Sequence, residues 1–355
     1  MKIIWFLPTT NTNYNNMSAS VWIRALQLIP YLEKSKIKNY INDENIKADF
    51  AIFVRRQNEV DYKLAVKLKK RKIKLILDLC VNYFIESDAP GIKKPVTSDH
   101  ISNCKKMTKL CDAVFCASNN IKEYAQRFNK NAFYLPDSVN KKHFKYKKNE
   151  IDFSRKRIRA IWSGTANKSY ELLEYMNILN EFNISLRIIA EKRPQSFCHP
   201  FLFGRNKAFF TRWKYETFPK TLLNGEFVFA PRDLSEPYNR GHSFFKIGVF
   251  LFSGIPVIAS PVPSYKEIIK RENCGKLCDS KDDFRNIIKN FCENREKLIN
   301  WSRSAKLLME KYTTLEISKK YITTFKKILT QENNNNKFKE NTGETRLNKE
   351  KKKLI

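Results

Sequence analysis

The chain has 355 residues, 42% of them hydrophobic and 29% charged, with a formal net charge of +31. That length and apolar share suit two globular domains and exclude a fibrous or wholly disordered chain. No run of about 18 apolar residues occurs, which argues against a membrane-spanning helix, and the run Ile3-Ile4-Trp5-Phe6-Leu7 stops at Pro8, too short for a signal peptide.

In chain order, short apolar runs predict strands at 2–7, 37–41, 50–54, 73–78, 113–117, 132–135, 158–163, 185–190, 226–230 and 256–259. Between them, helical spacing of apolar residues predicts helices at 19–34, 60–71, 98–111, 119–128, 169–182 and 243–253. This alternation argues for an α/β fold, with parallel sheets covered by helices on both faces. Runs such as Ala113-Val114-Phe115-Cys116-Ala117 are apolar throughout, as strands buried on both faces should be. The rhythm breaks at 140–157, where Lys141 to Glu150 is charged and poor in core residues, so a linker is expected there. From Gln331 the chain is rich in Asn and Lys with almost no apolar content, which predicts a disordered basic tail over 331–355.

The eight cysteines show no CxxC spacing and no His at ligand distance from a pair, so no zinc site is expected, and buried thiols in a reducing cytoplasm fit best. The net charge invites nucleic acid or an anionic membrane as partner. The basic residues are spread along the chain and Lys far outnumbers Arg, as A+T-rich coding alone would give, so nucleic acid is not expected. The segment Tyr62 to Lys74 is a basic helical pattern, with Lys63, Lys67, Lys69, Lys70, Arg71 and Lys72 beside Leu64, Ala65 and Leu68. It reads either as an anionic-membrane contact or as an ordinary solvated helix.

The most informative stretch is Tyr238 to Ser260: a polar basic loop, an apolar helix, a Gly-Ile-Pro turn and a strand. A loop that runs into a helix start offers free N–H groups and a positive dipole end, and Arg240, His242, Ser243 and Lys246 add cations and donors beside it. A phosphate or diphosphate is the expected guest. Ligands of open α/β sheets lie beyond the C-terminal ends of strands, so other strand ends bear reading. Strand 158–163 ends in Ser163-Gly164-Thr165-Ala166-Asn167-Lys168, which reads as a second phosphate contact or as a plain capped turn. Glu191, Lys192 and Arg193 at the end of 185–190 can touch a ligand or form a solvated turn. In the first half, Thr10 and Arg24 after strand 2–7 and Asp78 at the end of 73–78 read as acceptor contacts, with capping or surface roles as the plain alternative. His100, before a helical pattern, reads as a general base or as a surface residue.

Three segments resemble nucleotide-sugar glycosyltransferases of the GT-B fold, in the glycosyltransferase group 1 or family-4-like branch. These are Ser243 to Ser260 with its continuation through Ile269, Asp112 to Ser118 with Ile121 to Ala125, and Tyr134 to Asn140 with Phe144. The resemblance implies two Rossmann-like domains facing an interdomain cleft. Residues 1–145 would hold the acceptor and 155–313 the donor nucleotide, with a helix at 314–330 crossing back to the first domain. It further implies a retaining transfer that needs no metal and no cofactor beyond the nucleotide-sugar donor. The chain departs from the family where Val249 and Gly241 replace glutamates, the former of which binds ribose hydroxyls, and where Thr165 replaces a diphosphate arginine. In their place Lys168, Arg240, His242 and Lys246 are expected to act on the phosphates, with Gly164, Ser243, Ser260 and Pro261 along the nucleotide. The expected function is glycosyl transfer to a glycan or lipid-linked acceptor in surface polysaccharide or glycolipid synthesis, at the inner membrane face. The alternative is a GT-B binding or scaffold protein without transfer activity.

Overall fold

The computed structural model describes residues 1–9, 13–87, 96–148, 157–197, 208–270 and 273–330. Thr10, Cys198, residues 149–156 of the expected linker and the expected tail 331–355 lie outside the described residues.

Two parallel sheets of six strands each form the frame. The first contains β1 (Lys2–Phe6), β2 (Lys38–Ile41), β3 (Phe50–Val54), β4 (Lys74–Leu79), β5 (Ala113–Cys116) and β6 (Ala132–Tyr134), in the order 2-1-3-4-5-6. The second contains β7 (Arg159–Ser163), β8 (Ser185–Ala190), β9 (Ala208–Arg212), β10 (Phe227–Ala230), β11 (Val257–Ala259) and β12 (Gly275–Leu277), in the order 12-11-10-7-8-9. Each order reverses once, between β1 and β3 and between β7 and β10, and such switch points are where a crevice opens at the strand ends.

Side chains alternate across each sheet. In the first, Ile3, Trp5, Phe50 and Ile52 face one core, while Ile4, Phe6, Ala51 and Phe53 face another. Helices cover both sides: α1 (Ala19–Val21), which widens into a π-helical turn at Trp22–Leu26, α2 (Ile29–Lys34), α3 (Glu59–Lys70), α4 (Ser98–Leu110) and α5 (Asn119–Gln126). The predicted helix at 19–34 is thus three pieces, broken by the wide turn. The basic helix α3 buries Ala65 and Leu68 against its own sheet. Two cations of this segment are engaged at home: Lys67 of α3 with Glu44 at 3.3 Å, and Arg71, just beyond its end, with the carbonyls of Asn45 and Ile46.

Around the second sheet lie α6 (Met176–Glu181), α7 (Phe218–Thr221), α8 (Pro237–Arg240), α9 (Phe245–Phe252), α10 (Pro263–Ile268), α11 (Lys281–Glu293) and α12 (Glu296–Met309). The segment predicted as helix at 169–182 begins as the tighter 3-10 form at Ala166–Tyr175. Helix α9 ends at a turn where Gly254 takes φ +82°, a conformation that side-chain-bearing residues avoid. The chain is helical again over 314–330 (α13), and Ile317, Tyr321, Phe325 and Ile328 pack into a core of the first sheet. No helix among the described residues is long and apolar enough to cross a membrane.

Candidate active site

The C-terminal ends of both sheets line one cleft of about 610 Å³. The segment after β1 brings Ser18 and Trp22, and Arg55 follows β3; across the cleft Gly164 and Thr165 follow β7, and β10 leads to Arg232. All four strands flank the switch points.

The second-domain wall is a cluster of cations. Arg232 is buried and pairs with Glu171 at 2.9 Å, and Ser260 Oγ accepts its backbone N–H at 2.8 Å. Glu171 also accepts from Asn239 Nδ2 at 2.9 Å, so its charge is already engaged. Lys246 keeps part of its side chain exposed, but its Nζ is buried without a hydrogen-bond partner among the described residues, 4.2 Å from the centre of the Trp162 ring. Burial, then Arg232, pushes its pKa well below the ordinary lysine value, with Lys168 adding to the effect. Lys168 lies 4.2 Å over the Tyr238 ring, with Nζ 3.2 Å from His242 Nε2. Burial and Arg232 bring its pKa down to about 7. His242 is held neutral by burial and by Lys168, Arg232 and Lys246, so a bond from Lys168 needs the ring proton on Nδ1. A buried lysine nitrogen set among cations, with no acceptor among the described residues, is a place where an anion would be stabilised.

The remaining expected donor-side residues divide. Gly164 and Thr165 line the cleft, and the Gly164 N–H donates to Ile189 O at 3.1 Å. Glu191 lines it too, but its carboxylate accepts the Ala166 N–H at 3.0 Å and so occupies a helix-start donor expected to meet phosphate. Ser243 lines the cleft and gives its hydroxyl to Asp137 Oδ2 across the domain seam. Ser260 is buried behind Arg232, and neither it nor Pro261 reaches the cleft wall. Arg240, expected on the diphosphate, turns away: its Nη1 donates to Leu234 O at 2.8 Å and Ser235 O at 3.1 Å.

The acceptor-side expectations are corrected more strongly. Arg24 and Asp78 form a fully buried bidentate pair at 2.9 and 2.8 Å, and Arg24 Nη1 also donates to Leu135 O and Asp137 Oδ1. The wide turn of the first helix directs Arg24 inward, so neither residue faces the cleft. His100 caps its own helix, with Nδ1 3.1 Å from Thr97 N, and also lies outside the cleft. Thr10 lies outside the described residues. The charged residues that line the cleft from this side are Arg55, whose Nη1 holds Ser18 and Ser20 at 2.9 Å each, and Asp137.

Of the three positions expected to depart from the resembled pattern, Thr165 lines the cleft, and the other two lie at the cleft wall and the domain seam. Val249 is buried in the cleft wall. At Gly241 an added Cβ would stand 2.8 Å from Asn82 Cβ of the first domain, so no larger side chain fits. Among the described residues, no group of three or more His, Cys, Asp or Glu is placed to hold a metal ion.

No protein-family model matches the sequence, and no curated protein matches it. Solved structures do match in shape. Sucrose-phosphate synthase from Thermosynechococcus elongatus superposes with a TM-score of 0.71 at 11% identity, over 93% of this chain and 99% of that one. HepE from Anabaena, solved in complex with UDP and glucose, gives 0.66 at 12% identity, over 92% and 99%. A glycosyltransferase from Rickettsia africae gives 0.62 at 11% identity, over 92% and 98%. The fold is therefore the GT-B arrangement of two Rossmann-like domains across a cleft.

Proposed function

We propose that the chain is a glycosyltransferase that moves a sugar from a nucleotide diphosphate to a hydroxyl of a glycan or lipid-linked acceptor. The observation that carries this reading is Lys246, whose buried Nζ has no hydrogen-bond acceptor among the described residues and stands beside Lys168, Arg232 and His242 in the cleft of a GT-B fold. HepE was solved with UDP and with UDP-glucose, which makes a uridine nucleotide the first donor to try.

In the transfer the bond between the anomeric carbon and the diphosphate oxygen breaks, and the acceptor oxygen bonds to that carbon and passes its proton to the leaving diphosphate. Negative charge gathers on the leaving diphosphate. Lys246, Lys168 and Arg232 meet that charge in a site already organised for it, where stabilisation counts most in the transition state. A bound anion restores the protons of both lysines, because an opposite charge favours the charged form. The reading includes retention of configuration, no metal ion, and work on surface polysaccharide or glycolipid at the cytoplasmic face of a membrane, whose anionic surface the basic chain would favour.

Gly241 and Val249 favour a second reading, a binding protein of this fold without turnover, because the carboxylates of the resembled enzymes are missing. Calorimetry with UDP, GDP and ADP, followed by sugar release from the matching sugar nucleotides, separates the readings. Binding with turnover is expected. Binding without turnover on any donor supports the second reading, and no nucleotide binding at low salt removes both.

A further inference from the structure

Arg55 stands in the first-domain wall of the cleft, just after β3. Its backbone takes φ +53°, a left-handed conformation that side-chain-bearing residues seldom adopt, and its N–H donates to Asp78 O of the neighbouring strand β4 at 3.0 Å. The side chain that this turn carries is part-exposed and lines the cleft.

The surroundings of the guanidinium orient it without neutralising it. Nη1 donates to Ser18 Oγ and Ser20 Oγ at 2.9 Å each, and Nη2 donates to the Tyr83 hydroxyl at 3.1 Å. All three acceptors are uncharged side chains. By contrast, Arg24, Arg56, Arg159 and Arg232 each meet a carboxylate within 3.0 Å. Arg55 pairs with no carboxylate among the described residues. Asp137, the carboxylate on its side of the cleft, is committed to Arg24 and to the Ser243 hydroxyl. A guanidinium held half out of water without a counter-charge is a place where an oxyanion would be stabilised.

Donors are left over for such a group. Nη2 carries two N–H groups and only one meets Tyr83. Ser18 and Ser20 lie 2.9 Å apart, so one hydroxyl gives its hydrogen to the other and the second hydrogen stays uncommitted. Both serines line the cleft. The Nε–H is buried and out of a ligand's reach, so it takes no part.

The cations assigned to the diphosphate, Lys168, Arg232 and Lys246, belong to the second domain, whereas Arg55, Ser18 and Ser20 belong to the first. We propose that these three residues bind a carboxylate or phosphate carried by the acceptor, so that the enzyme glycosylates an acidic acceptor. Only the word acceptor rests on the glycosyltransferase reading; the oxyanion site stands on Arg55 and the two serines.

The test uses the full chain with saturating UDP, so that the diphosphate site is filled. Saturation-transfer NMR compares methyl glucuronide, glucose 6-phosphate and the neutral methyl glucoside as probes, and calorimetry follows UDP in parallel. At least one anionic probe is expected to bind the parent more tightly than methyl glucoside, and the tighter of the two tells a carboxylate from a phosphate. Arg55→Met should weaken that probe about tenfold, the scale of a charge-assisted hydrogen bond. The double variant Ser18→Ala/Ser20→Ala, which keeps the charge and removes the hydroxyls, should weaken it by a smaller factor. It also keeps the proposal open to refutation if thermal melts show that Arg55→Met does not fold. UDP affinity should stay within about twofold of the parent in both variants, as for groups on opposite walls. No anionic probe binding above methyl glucoside, or unchanged probe binding in a folded variant, overturns the proposal. A fall in UDP affinity that matches the fall for the probe also overturns it, because Arg55 would then serve the donor. Loss of UDP binding to the parent, with Arg55-dependent probe binding intact, would instead remove the donor assignment and leave the oxyanion site standing.

Discussion

Lys246 costs the empty protein stability and serves the filled one. Its Nζ is buried with no acceptor, and Glu171, the nearby carboxylate, is committed to Arg232 and Asn239. Replacing it by an apolar side chain of similar length removes that cost, so Lys246→Met should raise the melting temperature of the free protein. The same change should weaken UDP binding by about 1–3 kcal/mol, the size of a charge-assisted hydrogen bond. Thermal melts and calorimetry read the two effects separately, and a variant that loses both stability and affinity contradicts this account. Lys168 adds a pH signature. Its pKa falls from 10.5 to about 7 on folding, through burial and Arg232. Between those values the unfolded chain holds a proton that the folded chain lacks, so stability rises with pH. Lys246 acts in the same direction. Above about pH 8.5, the ordinary thiol value, buried thiols such as Cys104 and Cys274 oppose the rise, because burial lifts the folded pKa of each to about 12. The melting temperature of the free protein should therefore climb from pH 7 to about 8.5, and Lys168→Met should shrink that climb. A slope indifferent to the substitution would take Lys168 out of the explanation.

Elements differ in how plainly the sequence announces them. The inner strands are continuous apolar runs, and β3 and β8 begin and end where the pattern places them. The apolar pattern does not mark β9 and β12, the two outer strands of the second sheet. An outer strand is shielded on fewer sides, so Thr211, Arg212 and Lys276 can interrupt the apolar pattern that marks a strand. The site shows the same division. Lys246, His242 and Ser243 sit on one loop and helix start, so their chemistry is local and readable. Arg232 and Glu171 are 61 residues apart and meet only because β10 and the 3-10 helix end at the same crevice. Arg24 and Asp78 show the opposite: a charged residue near a strand end suggests a ligand, but here each is the other's partner. Helix α13 gives a prediction at this scale. Removing residues from 314 onward would uncover the first-domain core that Ile317, Tyr321, Phe325 and Ile328 cover. Hydrogen exchange on the truncated chain should show protection lost in β1 and β3 and largely kept in β10 and β11. Equal loss in both sheets would mean that the helix supports the whole molecule rather than one domain.

The whole molecule is two sheets joined along a seam of mostly polar contacts. Ser118 Oγ donates to Gly241 O at 2.9 Å, Asn119 to Glu267 at 2.9 Å, Asn15 to Glu216 at 3.0 Å, and Ser243 to Asp137. Aromatic contacts such as Trp22 on Phe245 supplement them. Polar seams of this kind are ordinary for domains that shift relative to one another. The seam also decides what the cleft can distinguish. Where Gly241 meets Asn82 there is no room for a carboxylate, and Val249 offers only methyl groups where the resembled enzymes grip the ribose. A pocket that forms no bond to a hydroxyl cannot strongly reject the analogue that lacks it. Deoxyuridine diphosphate should therefore bind within about threefold of UDP, a difference under about 1 kcal/mol. A large preference for the ribonucleotide would mean that some other group recognises the hydroxyl. With the preference absent, the nucleotide would serve this protein mainly as a handle of charge, and the choice of donor would fall to the base and the transferred sugar.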